Sequence, residues 1–228
     1  MNARVGGNRI TVVDYGMGNR RSVQKALEHV GAHVTVTGDP ERLREADGLV
    51  IPGVGAFPAA MASLRELGLI GAIRGRAAEG TPVLGICLGM QLLFDRSVEL
   101  EPTEGLGLLA GEVSPLRTGG LRVPHIGWNE VAFAQSSPLT AALPAAGAAF
   151  YHVHSLVARP EHPEDVVGTT TYGESFATIV ARELVFGVQF HPEKSSGHGL
   201  RMLRGFVECC ERGEADVRVG GAAFSARA

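Results

Sequence analysis

The chain has 228 residues, 45% hydrophobic and 20% charged, values of a globular fold large enough for one sizeable domain. A formal net charge of −3 carries no nucleic-acid footprint, and the apolar runs, short and broken by Gly, Pro or Gln, leave no membrane span. Three cysteines, two of them adjacent (Cys209, Cys210), make no disulfide framework, and the N-terminus lacks a signal-peptide core, so a reduced cytoplasmic protein is expected.

Residues 1–8 are polar and Gly-containing and are expected to be a disordered leader. Residues 10–13 read as a buried strand, followed by the Gly-rich loop Asp14-Tyr15-Gly16-Met17-Gly18-Asn19. Residues 22–30 place Val23, Ala26, Leu27 and Val30 on one helical face, with Gly31 as the stop. A strand over 33–37, a short helix over 40–46 and a third strand over 48–51 complete a β-α-β-α-β start, which predicts a parallel sheet with right-handed crossovers. The G-x-G of the first loop lacks a third glycine in place and a P-loop Lys, which argues against a nucleotide site. Pro52-Gly53-Val54-Gly55-Ala56-Phe57 follows the third strand, at the sheet edge where parallel folds bind ligands. Its glycines leave the backbone free to turn an amide toward an oxyanion, although an ordinary βα turn explains them as well. Residues 58–76 read as a helix broken near Gly68 and Gly71.

The stretch that organises the chain is 82–94. An apolar strand, 83–86, runs into Gly85-Ile86-Cys87-Leu88-Gly89, and Met90 to Phe94 read as the start of a helix. This is the thiol counterpart of the G-x-S-x-G nucleophile elbow. A nucleophile on so sharp a turn sits in strained backbone space, and its neighbours must be small. The free amides at the helix start favour negative charge and suit an oxyanion. A small buried core cysteine is the competing reading.

The second half reads as β-rich. Strands are expected over 111–116, 123–133, 149–157, 166–172, 175–182 and 185–189, with a short helix over 136–143. A last helix, 199–211, carries Leu200, Leu203, Phe206 and Val207 on one face, and 212–228 is expected to be a disordered tail. The fold expected is α/β: a single-domain, flavodoxin-like open sheet, mostly parallel, with an added antiparallel β region in the C-terminal half.

A cysteine nucleophile needs a base, and the base needs an orienter. Of eight histidines, His191 stands out by context. It ends a strand and precedes Pro192-Glu193, and in extended backbone residues i and i+2 project to the same side. Pro192 pushes His191 toward that geometry, so Glu193 can hold one ring nitrogen while the other faces the thiol. His125, His152 and His154 then fall to structural or interface roles.

Together, Gly85-Ile86-Cys87-Leu88-Gly89-Met90-Gln91 and His191-Pro192-Glu193 resemble the class I (triad) glutamine amidotransferases. The 14–19 and 52–57 segments, Pro124-His125-Ile126-Gly127-Trp128-Asn129 and Phe190-His191-Pro192-Glu193-Lys194-Ser195-Ser196 are similar to the glutaminase subunits of imidazole glycerol phosphate synthase. The resemblance implies a glutaminase domain over 9–211 with catalytic Cys87, His191 and Glu193, no cofactor and no metal. It implies oxyanion amides at Val54 and Leu88, and L-glutamine contacts at Gly53, Gly55, Gln91, His154 and Ser155. The family often has an aromatic residue where this chain has Leu156. It also implies a separate cyclase subunit, a TIM barrel, that takes the ammonia in a heterodimer whose interface includes Asn19, Tyr151 and Lys194. A chorismate-linked glutaminase, a partner-free hydrolase and a non-enzymatic binding module are the competing readings.

Overall fold

A computed structural model describes residues 9–221; the leader expected over 1–8 and the end of the expected tail, 222–228, lie outside the described residues. The chain opens with β1 (Arg9–Val13), α1 (Arg20–His29), β2 (His33–Thr37), α2 (Pro40–Leu43) and β3 (Gly48–Gly53). The local reasons are the expected ones. α1 buries Val23, Ala26 and Leu27 on one face. α2 starts at Pro40 behind Asp39, whose carboxylate accepts from the Glu41 amide at 3.0 Å. α3 (Phe57–Glu66) and α4 (Leu69–Ala78) follow, separated at Gly68, which adopts φ 67. β4 (Val83–Cys87) and the five-residue α5 (Leu88–Leu92) form the elbow.

β5 (Phe94–Ser97), β6 (Thr103–Glu104), β7 (Leu109–Pro115), β8 (His125–Phe133), β9 (Ala148–His154), β10 (Leu156–Pro160), β11 (Val166–Tyr172), β12 (Glu174–Arg182) and β13 (Val185–Val188) complete the strands, and α6 (Ser196–Gly221) ends the described chain. One nine-stranded sheet has the order β2-β1-β3-β4-β13-β12-β11-β8-β9. From β2 to β13 the pairs are parallel; from β13 to β9 they are antiparallel. The expected antiparallel region therefore extends the parallel sheet through β13. A second sheet, β10-β7-β5-β6, holds the remaining strands.

Two cores flank the large sheet. On one face Ile10, Val12, Leu27 and Ile86 pack with Phe190, Leu203 and Phe206 under α1 and α6. On the other, Val13, Leu49, Ile51 and Met90 pack with Phe57, Leu64 and Ile73 under α3 and α4. β4 lies between β3 and β13 and is buried along its whole length. The elbow therefore stands at the carboxyl edge of the middle of the sheet, between two packed layers.

Several expected elements differ. The segment 136–143 forms turns rather than a helix, held by Thr140 and Leu143 amides donating three residues back to Ser137 and Thr140. The elbow helix stops at Leu92, and Phe94 begins β5 instead of continuing it. The strand expected over 149–157 is two: β9 pairs with β8, whereas β10 pairs with β7 in the second sheet, and Ser155 is the break between them. α6 begins at Ser196 and runs to Gly221, past the expected end at Glu211.

Candidate active site

Cys87 occupies φ 56, ψ −113, backbone space that side chains rarely enter. The neighbouring glycines show why the elbow tolerates nothing larger. A Cβ on Gly85 would lie 2.5 Å from the Gly89 carbonyl oxygen, and one on Gly89 would lie 1.7 Å from that of Ile51. A Cβ on Gly53 would approach the Tyr15 hydroxyl at 2.6 Å and Leu88 at 2.8 Å. Strand, helix and the 52–57 loop therefore close on one another without side chains between them.

The base arrives from β13. Phe190 is fully buried and stacks on Phe150 with ring centres 4.0 Å apart, which fixes the chain just before His191. The His191 amide donates to the Tyr151 carbonyl at 2.9 Å, and Ser195 closes the turn by donating from its hydroxyl to the His191 carbonyl at 2.7 Å. His191 Nδ1 meets Glu193 Oε1 at 2.9 Å, with the two side chains 4% and 1% exposed. Burial pulls the imidazole pKa down; hydrogen bonds to Cys87 and Glu193 and their charges push it up, and the balance stands at about 9. At neutral pH the ring is thus an imidazolium held between a sulfur and a carboxylate. Cys87, His191 and Glu193 come together as the sequence predicts.

The 52–57 loop is pinned at both ends. The Tyr15 hydroxyl donates to the Pro52 carbonyl at 2.5 Å, and the Phe57 amide donates to Glu99 Oε2 at 2.6 Å. Between these anchors Val54 is 45% exposed and Gly55 takes φ 110. Gly53 is the register partner of Cys87, so the loop begins directly beside the nucleophile, and Leu88 follows the nucleophile in the chain.

Gln91, His154 and Leu156 meet behind the thiol. Gln91 Nε2 donates to the Leu156 carbonyl at 3.3 Å, and His154 Nδ1 donates to the same oxygen at 2.8 Å. The backbone of Leu156 makes these contacts, so they do not depend on an aromatic side chain there. The Ser155 carbonyl instead accepts from the Leu116 amide at 3.0 Å, inside the fold. Of the expected interface residues, Asn19 precedes α1, Tyr151 ties to the histidine turn by donating its amide to Ser195 Oγ at 3.0 Å, and Lys194 is exposed on that turn. Trp128 lies edge-on to Tyr151 at 6.1 Å and is 53% exposed.

One residue at the thiol escaped the sequence reading. Gln189 is fully buried, and its Nε2 lies 3.8 Å from Cys87 Sγ. The alternation that links His191 to Glu193 reaches Gln189 one step earlier and was signal enough. His125, His152 and His154, set aside as structural, form a buried cluster against β12. His125 Nδ1 meets His154 Nε2 at 3.0 Å, and His152 Nε2 meets Thr178 Oγ1 at 2.8 Å. Burial, first of all, holds all three below the ordinary histidine range, His152 at about 3 and His154 at about 4. Among the described residues no cluster of His, Cys, Asp and Glu could hold a metal ion, and no helix is long and apolar enough to cross a membrane.

A family model described as glutamine amidotransferase class-I matches residues 11–209, the class that a thiol elbow on this mixed sheet defines. Over 199 residues the chain is 52% identical to the imidazole glycerol phosphate synthase subunit HisH of Moorella thermoacetica, which spans 87% of this chain and 94% of that relative. It is 46% identical over 202 residues to the subunit of the same name from Lactococcus lactis, across 88% of this chain and 98% of that one. A chain of PurLQS from Thermotoga maritima shares the fold with a TM-score of 0.72 at 21% identity, over 89% of this chain and 99% of its own. The chain therefore belongs to the class-I glutamine amidotransferases, among relatives that carry the name HisH.

Proposed function

We propose that the chain is the glutaminase subunit of an imidazole glycerol phosphate synthase, hydrolysing L-glutamine to L-glutamate and ammonia in L-histidine biosynthesis. The observation that carries this reading is Cys87 at φ 56 on the strand–helix turn, beside His191, whose Nδ1 is hydrogen-bonded to Glu193. The Cys87 sulfur attacks the side-chain carboxamide carbon of glutamine. The tetrahedral oxyanion is met by the amides of Leu88 and Val54. The C–N bond breaks as His191 gives its proton to the departing ammonia, leaving a thioester. Water, deprotonated by His191, attacks the thioester and releases glutamate and the thiol. Glu193 holds the imidazole and stabilises its charged form. Gly53, Gly55, Gln91, His154 and Ser155 surround the glutamine.

The ammonia passes to a cyclase subunit of TIM-barrel form in a heterodimer. That subunit converts the ribulosyl-formimino-aminoimidazole carboxamide nucleotide to imidazole glycerol phosphate and aminoimidazole carboxamide ribotide. Asn19, Tyr151 and Lys194 contribute to the docking face, and the complex works in the cytoplasm. The pinned ends of the 52–57 loop support gating: with Pro52 and Phe57 held, only the Gly53-Val54-Gly55 peptides turn, and they complete the oxyanion site when the partner and its ligand are present.

Glutamate release tests the reading, measured for the chain alone and with the cyclase subunit and its ribulosyl ligand, in wild type and Cys87→Ala. Turnover should require partner and ligand and vanish in the variant. Equal turnover by the lone chain removes the gating and favours a partner-free hydrolase. Turnover that survives Cys87→Ala removes the mechanism.

A further inference from the structure

We infer that Gln189 is a further catalytic residue, whose side-chain amide donates to the Cys87 sulfur and is locked in that orientation by Gln91. The inference rests on the proposed use of Cys87 as nucleophile. The orientation follows from the hydrogen bonds alone. A backbone carbonyl only accepts, so the Gln91 atom 3.3 Å from the Leu156 oxygen is the amide nitrogen. That nitrogen then donates to the Gln189 atom 3.0 Å away, which must be Oε1. The other end of Gln189, 3.8 Å from Cys87 Sγ, is therefore the NH2 group. The far end of the chain is fixed by the same logic. His154 Nδ1 also donates to the Leu156 oxygen, at 2.8 Å, so that oxygen takes two donors and presents no alternative to Gln91.

The surroundings prevent the amide from turning away. Gln189 is 0% exposed and Gln91 4%, and the Gln189 backbone amide donates to the Thr178 carbonyl at 2.9 Å. A buried amide with one end already paired keeps its other end on a neighbour of opposite character. Here that neighbour is a sulfur that carries negative charge when it attacks. A donor fixed before the reaction stabilises the thiolate without reorganisation. The thiol, when protonated, has its own acceptor in the Val153 carbonyl, 3.8 Å from the sulfur, so the Gln189 donor does not compete for the same hydrogen. Gln91, placed at the glutamine in the proposed function, thus holds both the substrate contact and the donor to the sulfur, so loss of its Gln189 partner disturbs both.

The test is the pH dependence of Cys87 alkylation by iodoacetamide, with the modified cysteine identified by peptide mass, in the full chain. Gln189→Met keeps the length and removes the donor. Gln189→Glu keeps an oxygen for Gln91 and places a second negative charge beside the sulfur. The alkylation midpoint should rise by about one pH unit in Gln189→Met, a tenfold slowing below the midpoint, and further in Gln189→Glu. With the cyclase present, Gln189→Met should raise KM for glutamine, whereas Gln189→Glu should keep KM and lose kcat. A purely structural role predicts no midpoint shift, so variants that keep the circular-dichroism spectrum and the wild-type midpoint overturn the inference. Should both variants fail to fold, the wild-type Gln189 side-chain amide protons must shift in NMR as Cys87 titrates, and their constancy overturns it. Loss of the glutaminase reading is seen separately, as turnover that survives Cys87→Ala.

Discussion

The buried histidines make the fold sensitive to acid. His152 donates from Nδ1 to the Phe150 carbonyl at 3.1 Å, accepts at Nε2 from Thr178 Oγ1 at 2.8 Å, and is 0% exposed. Burial, and then the neighbouring His154, His125 and His191, lower its pKa from 6.5 to about 3, each neighbour being cationic when charged. A histidine depressed in the folded state binds its proton first in the unfolded chain. Stability is therefore intact above the unfolded value and lost as pH falls from 6.5 toward the folded value. At about pH 5 the unfolded ring sits roughly 1.5 units below its midpoint while the folded ring stays neutral, a loss of ~2 kcal/mol. His154, lowered to about 4, loses a similar ~2 kcal/mol over the same interval. The perturbation is His152→Gln, and the assay is urea unfolding followed by circular dichroism at about pH 7.5 and pH 5. The variant loses stability at both pH values by ~1–3 kcal/mol, from the altered hydrogen bonds. The quantity that matters is the pH difference, which should be ~2 kcal/mol smaller in the variant than in wild type. An equal pH difference in the two proteins refutes the argument that His152 is folded neutral.

Four other outcomes follow from the site. Glu193→Gln should lower glutamine turnover by roughly 10²–10⁴-fold, because the imidazolium loses its counter-charge; the fall should appear in kcat, measured with the partner present. In the same variant His191 loses the carboxylate that raises its pKa, so the imidazole titration of His191, followed by NMR, should move down from about 9. Cys87→Gly should abolish turnover and stabilise the fold by ~1–3 kcal/mol in thermal or urea unfolding, because glycine adopts φ 56 without strain. Phe190→Ala removes a fully buried ring stacked at 4.0 Å on Phe150 and should cost ~3–5 kcal/mol in the same assay.

What the sequence discloses and what it hides divide along local and non-local lines. The alternating strands and helices up to Cys87 depend on turn residues and on faces that each segment displays by itself, such as Val23, Ala26 and Leu27 on α1. The elbow is legible for the same reason, since Gly85 and Gly89 are demanded by contacts within a few residues or with the next strand. His191 and Glu193 follow from alternation across Pro192. The division of 148–160 into β9 and β10 is not local: the strand changes partner from β8 to β7, and the residues on either side of Ser155 are equally strand-like. β5 is hidden likewise, because Leu92, Leu93 and Phe94 are all fully buried whichever element they join, and only pairing with Leu109 makes Phe94 a strand residue. Alternation places Gln189 on the side of His191, but what its amide does depends on Gln91 and Leu156, from two other elements, which close the chain of hydrogen bonds.

The strain at Cys87 explains why so much of the fold converges on it. A non-glycine residue in this backbone region costs ~1–3 kcal/mol, and it persists only where the surroundings over-determine it. β4 is paired on both sides, by β3 through Gly53 and by β13 through Val188. α5 is pressed onto the sheet through Gly85 and Gly187, where a Cβ would meet Met90 atoms at 2.7 Å in both cases. Relaxing the nucleophile to an ordinary conformation would shift α5, and shifting α5 would break the contacts of Met90, Leu92 and Leu93, all fully buried. Burial of even one such side chain is worth about 1.5–3 kcal/mol, comparable with the whole strain. The strained position of the buried sulfur beside His191 is therefore held by apolar packing beneath it, and substitutions in that layer should impair turnover without touching glutamine.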